Sequence, residues 1–375
     1  MGIVIDENIQ RKCQLKFDNS ITMEIKGAAI ILMVCNHLFP IPEWIYPENN
    51  YFSLSFGSKT IASYIGGFGK ICVAIFAFLT GIAMFYTYSK AELKKSWVHT
   101  LRKLPRFLGT YWMILFVVYI PIIYLGGGKT FNVKELFLNL FGYQTTYCRI
   151  AWYVRFYLEL VISFPIWVIL YRELKKWLQS CNLNMPFVVL IAIQWGVGVC
   201  SKKIQFGFSG YLAEYFGYIT IVMFGFYVAE KDLLSKIFMC FHKYSNVIRC
   251  VVSAIFLTGC FCGRGIIKQF MEFNLDFIYA PIVILAIWLL LDAIEWERLN
   301  AFFSFLGRYS VEIWFLHAIF FIGNSNVQKI GYWPKWSFFI LVWVLLLLLP
   351  VSMLVHRIVS GILDEFNKII ESNRL

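Results

Sequence analysis

The sequence predicts an all-α polytopic membrane protein, folded as a bundle of about ten transmembrane helices with both termini in the cytoplasm. Its composition and the lengths of its apolar runs support this prediction. Hydrophobic residues make up 59% of the chain and charged residues only 15%, whereas charged residues make up about 25% of a soluble domain. A soluble fold of 375 residues could not bury so much apolar surface.

Ten apolar runs approach the length of about 20 residues that a helix needs to cross a bilayer. They lie near residues 21–39, 66–88, 107–125, 150–171, 186–201, 211–229, 248–262, 276–291, 303–322 and 336–356. We therefore expect a cytoplasmic N-terminal segment at 1–20, a membrane domain at 21–356 and a cytoplasmic tail at 357–375. The first 20 residues are rich in charge and have no apolar core, so they do not resemble a cleavable signal peptide.

The distribution of Lys and Arg predicts the orientation. The basic residues are densest in residues 90–106, which places this loop, the N-terminus and the C-terminus in the cytoplasm. Anionic lipid headgroups explain the net charge of +12, so we expect membrane lipids and no nucleic acid among the partners. The ten cysteines are dispersed without a C-x-x-C pair, and we predict neither a metal site nor an obligatory disulfide.

Ionisable residues inside predicted helices are the candidate functional residues, because a bilayer excludes them unless they face a partner or a cavity. Lys26 and His37 are eleven residues apart in the first helix. That spacing gives about 16 Å of rise and close to three turns, so both side chains point the same way and indicate a lined pathway. Glu312 and His317 lie in the ninth predicted helix.

Arg155 and Glu159 lie four residues apart on one face of the fourth predicted helix. Each candidate also has a purely structural interpretation. Lys26 could extend its amine to the membrane interface, His317 could bridge helices through a backbone carbonyl, and Arg155 and Glu159 could neutralise each other. The other three histidines, at positions 99, 242 and 356, fall in or beside predicted cytoplasmic loops, and we expect no special role for them.

Four motifs in this order resemble the acyltransferase 3 family of integral membrane acyltransferases, over nearly the whole chain. They are Lys26 with His37, the stretch Arg102–Trp112 with Lys103 and Arg106, the aromatic run Trp152–Tyr157, and the stretch from Leu306 to His317. Lys occupies two positions where the family usually has Arg, and Lys cannot make the bidentate fork that Arg makes to phosphate.

The resemblance implies transfer of an acyl group, most often acetyl from cytoplasmic acetyl-CoA, to a hydroxyl of a cell-surface or lipid-linked glycan. It makes His37 the general base or the nucleophile, and Glu312, Arg155 or His317 would orient it or stabilise the oxyanion. Direct transfer and an acyl-histidine intermediate both remain open. The implied residues for the CoA donor are Lys26, Arg102, Lys103 and Arg106, and those for the acceptor are Trp152, Arg155 and Glu159.

A proton-coupled transporter or flippase is the alternative, because ten helices with internal charges suit it equally well. The sequence shows neither an inverted repeat nor matching Gly/Pro-interrupted helices, which argues against it. The aromatic-rich outer segments 40–65 and 126–149 could stack on sugars or mark the membrane interface; they contain Trp44, Tyr46, Tyr51, Tyr143 and Tyr147. The Ile-, Lys- and Phe-rich composition is compatible with a bacterial plasma membrane protein.

Overall fold

The structure is a computed structural model that describes residues 17–39, 45–125, 132–178, 184–204, 207–270, 275–322 and 325–372. Trp44 and most of the predicted N-terminal segment 1–20 lie outside these described residues.

Almost all of the described chain is helical. The helices are α1 Asn19–Leu38, α2 Ile61–Gly69, α3 Ile71–Tyr88, α4 Leu93–Leu101, α5 Leu104–Ile114, α6 Ile120–Leu125, α7 Val133–Leu140, α8 Trp152–Trp177, α9 Met185–Ile204, α10 Ser209–Glu230, α11 Leu233–His242, α12 Asn246–Phe270, α13 Asp276–Ile294, α14 Glu297–Arg308, α15 Ser310–Leu316, α16 Ile319–Ile322, α17 Ser325–Gly331 and α18 Ser337–Ser372. A short π-helix at Leu115–Tyr119 joins α5 to α6. Short 3₁₀ helices lie at Pro47–Asn49 and Arg149–Ala151. The strands β1 Ser55–Phe56 and β2 Lys59–Thr60 form a small antiparallel hairpin.

Within the described ranges, nine segments are long and apolar enough to cross a membrane. They are Asn19–Leu38, Ile61–Tyr88, Leu93–Tyr124, Arg149–Trp177, Met185–Ile204, Ser209–Glu230, Asn246–Ile267, Asp276–Ile294 and Ser337–Ile369. This confirms the predicted class, an all-α polytopic membrane protein.

The ninth predicted helix, at 303–322, is not one continuous helix. The chain breaks at Tyr309 and again after Leu316, which gives α14, α15 and α16. The apolar part, Ser310–Phe321, would rise only about 18 Å as a continuous helix, well short of a hydrocarbon core about 30 Å thick. The prediction of one continuous helix over 303–322 was therefore wrong.

Glycines allow helices to cross with their backbones in direct contact. A Cβ on Gly27 of α1 would lie 2.0 Å from the carbonyl oxygen of Phe303, and a Cβ on Gly307 of α14 would lie 2.0 Å from that of Met23. Each glycine thus faces the residue four positions before the other glycine. Gly27 and Gly307 thus mark one crossing. Because His37 and His317, ten residues further along each segment, are also in contact, α1 and the segment that begins with α14 run in the same direction. Small residues are typical of such interfaces, because lipid supplies no hydrophobic force that brings helices together.

Two loops cover the end of the bundle where α1 ends. Phe52 forms a parallel bridge with Trp336, and the backbone N–H of Tyr46 donates to Gln328 at 2.7 Å. Glu48 accepts a hydrogen bond from the Ser325 hydroxyl. This bond, with weaker contributions from the lysines at 329 and 335, holds the pKa of Glu48 below its usual range.

Candidate active site

Helix α1 carries Lys26 near one end of the bundle and His37 near the other. It begins after Asp18, whose carboxylate accepts from the Ile21 N–H at 3.0 Å, and an acidic N-cap of this kind fixes where a helix starts. The two ends are called here the Lys26 end and the His37 end. The distribution of basic residues predicts that the Lys26 end is cytoplasmic.

His37 and His317 form a hydrogen-bonded pair at the His37 end. His37 Nδ1 lies 2.9 Å from His317 Nε2, and the ring centroids are 4.9 Å apart. His317 is 1% exposed, whereas His37 is only partly buried. The predicted orienting residue His317 is therefore in direct contact with the predicted reactive residue.

Two backbone carbonyls assign the protons of this pair. His317 Nδ1 lies 3.1 Å from the oxygen of Ile313, and His37 Nδ1 lies 3.1 Å from that of Met33. A carbonyl oxygen only accepts, so each Nδ1 must carry a proton. His317 Nε2 is then an acceptor, and the single proton on His37 Nδ1 is shared between it and the Met33 carbonyl. The neutral His37 consequently keeps an unprotonated Nε2 with its lone pair free for chemistry.

The His37 ring is also held by packing. Phe321 stacks on it with centroids 4.8 Å apart and an interplanar angle of 10°. The end of α1 is tied down by Tyr332, whose hydroxyl donates to the Leu38 carbonyl at 2.6 Å, and by Tyr51, whose hydroxyl donates to the Phe39 carbonyl at 3.3 Å. Burial raises the pKa of Tyr51, which keeps its phenol protonated as a donor.

The two histidines occupy equivalent places on their chain segments. Each lies ten residues after a crossing glycine, His37 after Gly27 and His317 after Gly307. Since these glycines face one another, equal spacing brings the histidines to the same level despite the break at Tyr309. The shared Gly-x9-His spacing was visible in the sequence, but only the crossing of α1 and α14 reveals its meaning.

A cavity of about 600 Å³ opens inside the Lys26 end. Its walls include Lys26, Lys103, Thr22, Tyr157 and Ser310. Two cations, the Asp18 carboxylate and several hydroxyls thus share one cavity whose remaining walls are mostly aromatic and aliphatic. Such a site suits a ligand with an anionic head and a slender, weakly polar body.

The cavity stops short of the histidine pair. Trp314 forms its deep wall, packed against Tyr153 with ring centroids 4.5 Å apart and against Phe76 at 5.2 Å. Neither His37 nor His317 lines the cavity. Trp314 precedes His317 by three residues, so one short segment carries both the wall and the orienting histidine.

Three other predicted residues of the site lie outside the cavity walls. Arg102 is exposed at the junction of α4 and α5. Arg106 donates from one guanidinium nitrogen to His356 Nε2 at 2.8 Å and to the Ser360 hydroxyl at 3.1 Å. Glu312 is buried and lies 2.8 Å from His356 Nδ1. The expectation that His356 lies in or beside a loop was wrong, because it lies within α18, where it bridges Arg106 and Glu312.

Arg155 is neutralised locally. It is 3% exposed, lies 3.6 Å from Glu159 and also pairs with Glu214 of α10. Its guanidinium carbon lies 4.1 Å from the centre of the Tyr211 ring, and Trp152 packs on another α10 aromatic, Tyr218. Among the described residues, these contacts of Arg155 join α8 to α10 and do not reach the histidine pair. Sequence reasoning missed Glu214 as a partner of Arg155, because Glu214 lies on a separate helix.

The aromatic residues predicted in the outer segments differ in exposure. Tyr46 and Tyr143 are 44% and 48% exposed, whereas Tyr147 is 1% exposed and cannot stack on a sugar in this conformation.

Comparison with known families agrees with this arrangement. Residues 25–356 match the family model described as an acyltransferase domain, a range that includes Lys26, most of the residues that line the cavity, both histidines and His356. No curated protein and no solved structure matches the chain. The match spans most of the 375 residues, and the chain is a multi-pass membrane acyltransferase that belongs to the acyltransferase 3 family.

Proposed function

We propose that this acyltransferase moves an acetyl group from cytoplasmic acetyl-CoA to a hydroxyl of a cell-surface or lipid-linked glycan, in a bacterial plasma membrane. The main support is the histidine pair, which leaves an unprotonated Nε2 on His37 in a fixed orientation. A lone pair held in this way suits a general base or a nucleophile.

In a direct transfer, His37 Nε2 takes the proton of the acceptor hydroxyl while that oxygen bonds to the thioester carbonyl carbon. The C–S bond then breaks, and the leaving thiolate takes the proton back from Nε2. His317 Nε2 accepts from His37 Nδ1 throughout, so it holds the ring and stabilises the imidazolium that forms. This is the role that an orienting carboxylate has in a catalytic triad.

In a two-step transfer, His37 Nε2 itself attacks the thioester carbonyl, and the C–S bond breaks. The thiolate takes a proton from water, and the acylated imidazole carries the positive charge with His317. The acceptor hydroxyl then attacks the acyl carbon, the N–C bond breaks, and the hydroxyl proton is released. Both routes convert the same substrates into the same products, and they differ in whether acyl label accumulates on the protein.

Charge and length support CoA as the donor in this cavity. Lys26 and Lys103 line it and would hold CoA phosphates by charge-assisted hydrogen bonds. Lys26 and His37 are about 16 Å apart along α1. A pantetheine arm of about 13 bonds spans roughly 14–16 Å when extended, at about 3.3–3.6 Å for every three bonds. A thioester bound in this way would reach the Trp314 wall, close to His317.

The acceptor would approach from the His37 end, opposite the cytoplasmic donor. His37 is partly exposed there, and the two loops that cover this end present Tyr46 and Trp336 to the outside. Aromatic faces of this kind can stack on sugar rings, although they also suit a membrane interface. Trp152, Arg155 and Glu159 remain a separate proposal for acceptor binding, and the ion pair between Arg155 and Glu214 would have to open for it.

Donor dependence tests the proposal. Membranes that contain the protein should transfer radiolabel from acetyl-CoA to a glycan or to the protein, and His37→Ala should abolish the transfer at unchanged expression. Lys26→Gln and Lys103→Gln should raise the KM for acetyl-CoA. Lys368→Gln is the matched control, because Lys368 is an exposed lysine that pairs with Glu365, away from the cavity walls. Undiminished transfer by His37→Ala would contradict the assignment, and glycan movement without acetyl-CoA would favour the transporter.

A further inference from the structure

Arg106, His356 and Glu312 form a hydrogen-bonded chain, called here the Arg–His–Glu relay. Arg106 Nη2 lies 2.8 Å from His356 Nε2, and His356 Nδ1 lies 2.8 Å from Glu312 Oε1. The three residues belong to α5, α18 and α15. The relay therefore joins three helices that are far apart in sequence.

The direction of each hydrogen bond in the relay follows from the chemistry of its ends. A guanidinium only donates, so His356 Nε2 must accept, and its Nδ1–H then donates to the Glu312 carboxylate. The Glu312 side chain is 5% exposed, and a buried carboxylate is costly unless it is paired or hydrogen-bonded. Arg106 and Glu312 are the charged groups that contact His356, and Tyr309 packs its ring edge-on at 5.2 Å.

Helix α15 is the element that the relay holds. It has seven residues and is bounded by the break at Tyr309 and by its end at Leu316, so its own backbone hydrogen bonds fix its direction weakly. Contacts from other helices must supply the rest. Glu312 provides one through the relay, and the Tyr119 hydroxyl donates to the Phe315 carbonyl at 2.7 Å.

The same short helix carries the two parts of the proposed site. Ser310, Trp314 and Phe315 line the donor cavity, and His317 follows directly at its end. A rotation of α15 would move the cavity wall and the acceptor of the His37 Nδ1 proton together. Glu312 lies between these groups in sequence and points the other way, toward α18.

We propose that Arg106 and His356 are positioning residues of the transferase reaction, which act through Glu312 to hold α15 in place. This inference rests on the proposed function. It differs from a direct role of Arg106 at the donor phosphates, because it assigns the observed guanidinium contact to His356 and predicts that the two residues act as one unit.

Steady-state kinetics of the full-length protein in membranes, with acetyl-CoA and with its 3′-dephospho analogue, separates the two roles. The relay predicts that Arg106→Gln and His356→Phe each lower kcat by about 5- to 100-fold. The double variant should have a kcat no lower than that of the poorer single variant, because the effects of substitutions within one network do not add. KM should change by the same factor for both donors. His356→Asn, which keeps a donor near Glu312, should recover part of the loss.

Arg357→Gln is the matched control, since Arg357 is exposed on α18 beside His356, and it should keep wild-type kinetics. Two results together would overturn the relay. Arg106→Gln would raise the KM for acetyl-CoA but not for the dephospho analogue, and the effects of the two single variants would multiply in the double variant. Should His356→Phe fail to fold, the exposed Arg106→Gln still gives the donor comparison. Absence of transfer by the wild type would instead refute the proposed function.

Discussion

Gly27→Ala tests whether the helix crossing sets the histidine pair. The new Cβ would lie 2.0 Å from the Phe303 carbonyl oxygen, whereas ordinary contact begins at 3.4 Å, so the helices must separate by about 1.4 Å (3.4 − 2.0). The obstructing atoms are backbone and cannot rotate away. If the same separation reaches His317, its distance of 2.9 Å to His37 grows to about 4.3 Å, beyond a hydrogen bond. A displacement of about 1 Å can cost about 10²-fold in rate.

The assay is acetyl transfer by purified protein in lipid, measured with thermal unfolding of the same sample. Overpacking of this kind costs about 1–3 kcal/mol, so a folded variant should remain for kinetic measurement. Gly259→Ala is the matched control, because Gly259 also lies inside a membrane helix but has nothing within 4 Å of its Cβ position. We expect it to keep full activity.

Gly307→Ala strengthens the test from the other helix, where its Cβ would lie 2.0 Å from the Met23 carbonyl oxygen. Both variants open the same crossing, so their combined effect on kcat should be smaller than the product of the two. Wild-type kcat in a folded Gly27→Ala protein would refute the reasoning. A loss of activity in strict proportion to the loss of folded protein would show that the crossing serves stability alone.

Three further predictions concern single contacts. His317→Phe should lower kcat by about 10²-fold or more through loss of the orienting acceptor, whereas His317→Gln, which keeps an acceptor, should retain much more activity. Glu214→Gln should lower the free energy of unfolding by about 1.5–3 kcal/mol, because it removes a charged partner of buried Arg155, and thermal unfolding would measure this. The pKa of Glu48 is lowered, so its contact to Ser325 is complete above the ordinary carboxyl pKa and is lost as pH falls through the lowered one. Protection of the covering loops from hydrogen exchange, corrected for the pH dependence of the intrinsic exchange rate, should therefore fall in acid. Glu48→Gln should remove this pH dependence of the protection.

Local sequence signals predicted the helices well. The first helix was expected at 21–39 and forms at Asn19–Leu38, because an apolar run and an N-capping aspartate both act within a few residues. The sixth was expected at 211–229 and forms at Ser209–Glu230. Interruptions were harder to predict, since Tyr309 lies in a run that is apolar enough to suggest a continuous helix.

Contacts across the chain could not be read from periodicity. His37 and His317 are 280 residues apart, and only the family resemblance implied that His317 could orient His37. His356 and Glu312 are 44 residues apart, and the predicted boundary at 356 placed His356 beside a loop. The observed helix α18 continues to Ser372, so His356 stays on a regular helix face and can reach Glu312.

The backbone itself determines where the reactive lone pair lies. The Ile313 carbonyl accepts both the His317 N–H, at 3.0 Å, and His317 Nδ1–H, at 3.1 Å, which uses both of its lone pairs. It therefore requires a proton on His317 Nδ1, and that proton makes Nε2 the acceptor for His37. The Met33 carbonyl favours the same tautomer of His37. Because helix carbonyls are permanent acceptors, any change that keeps α1 and α15 in place should leave His37 Nε2 unprotonated in the neutral pair.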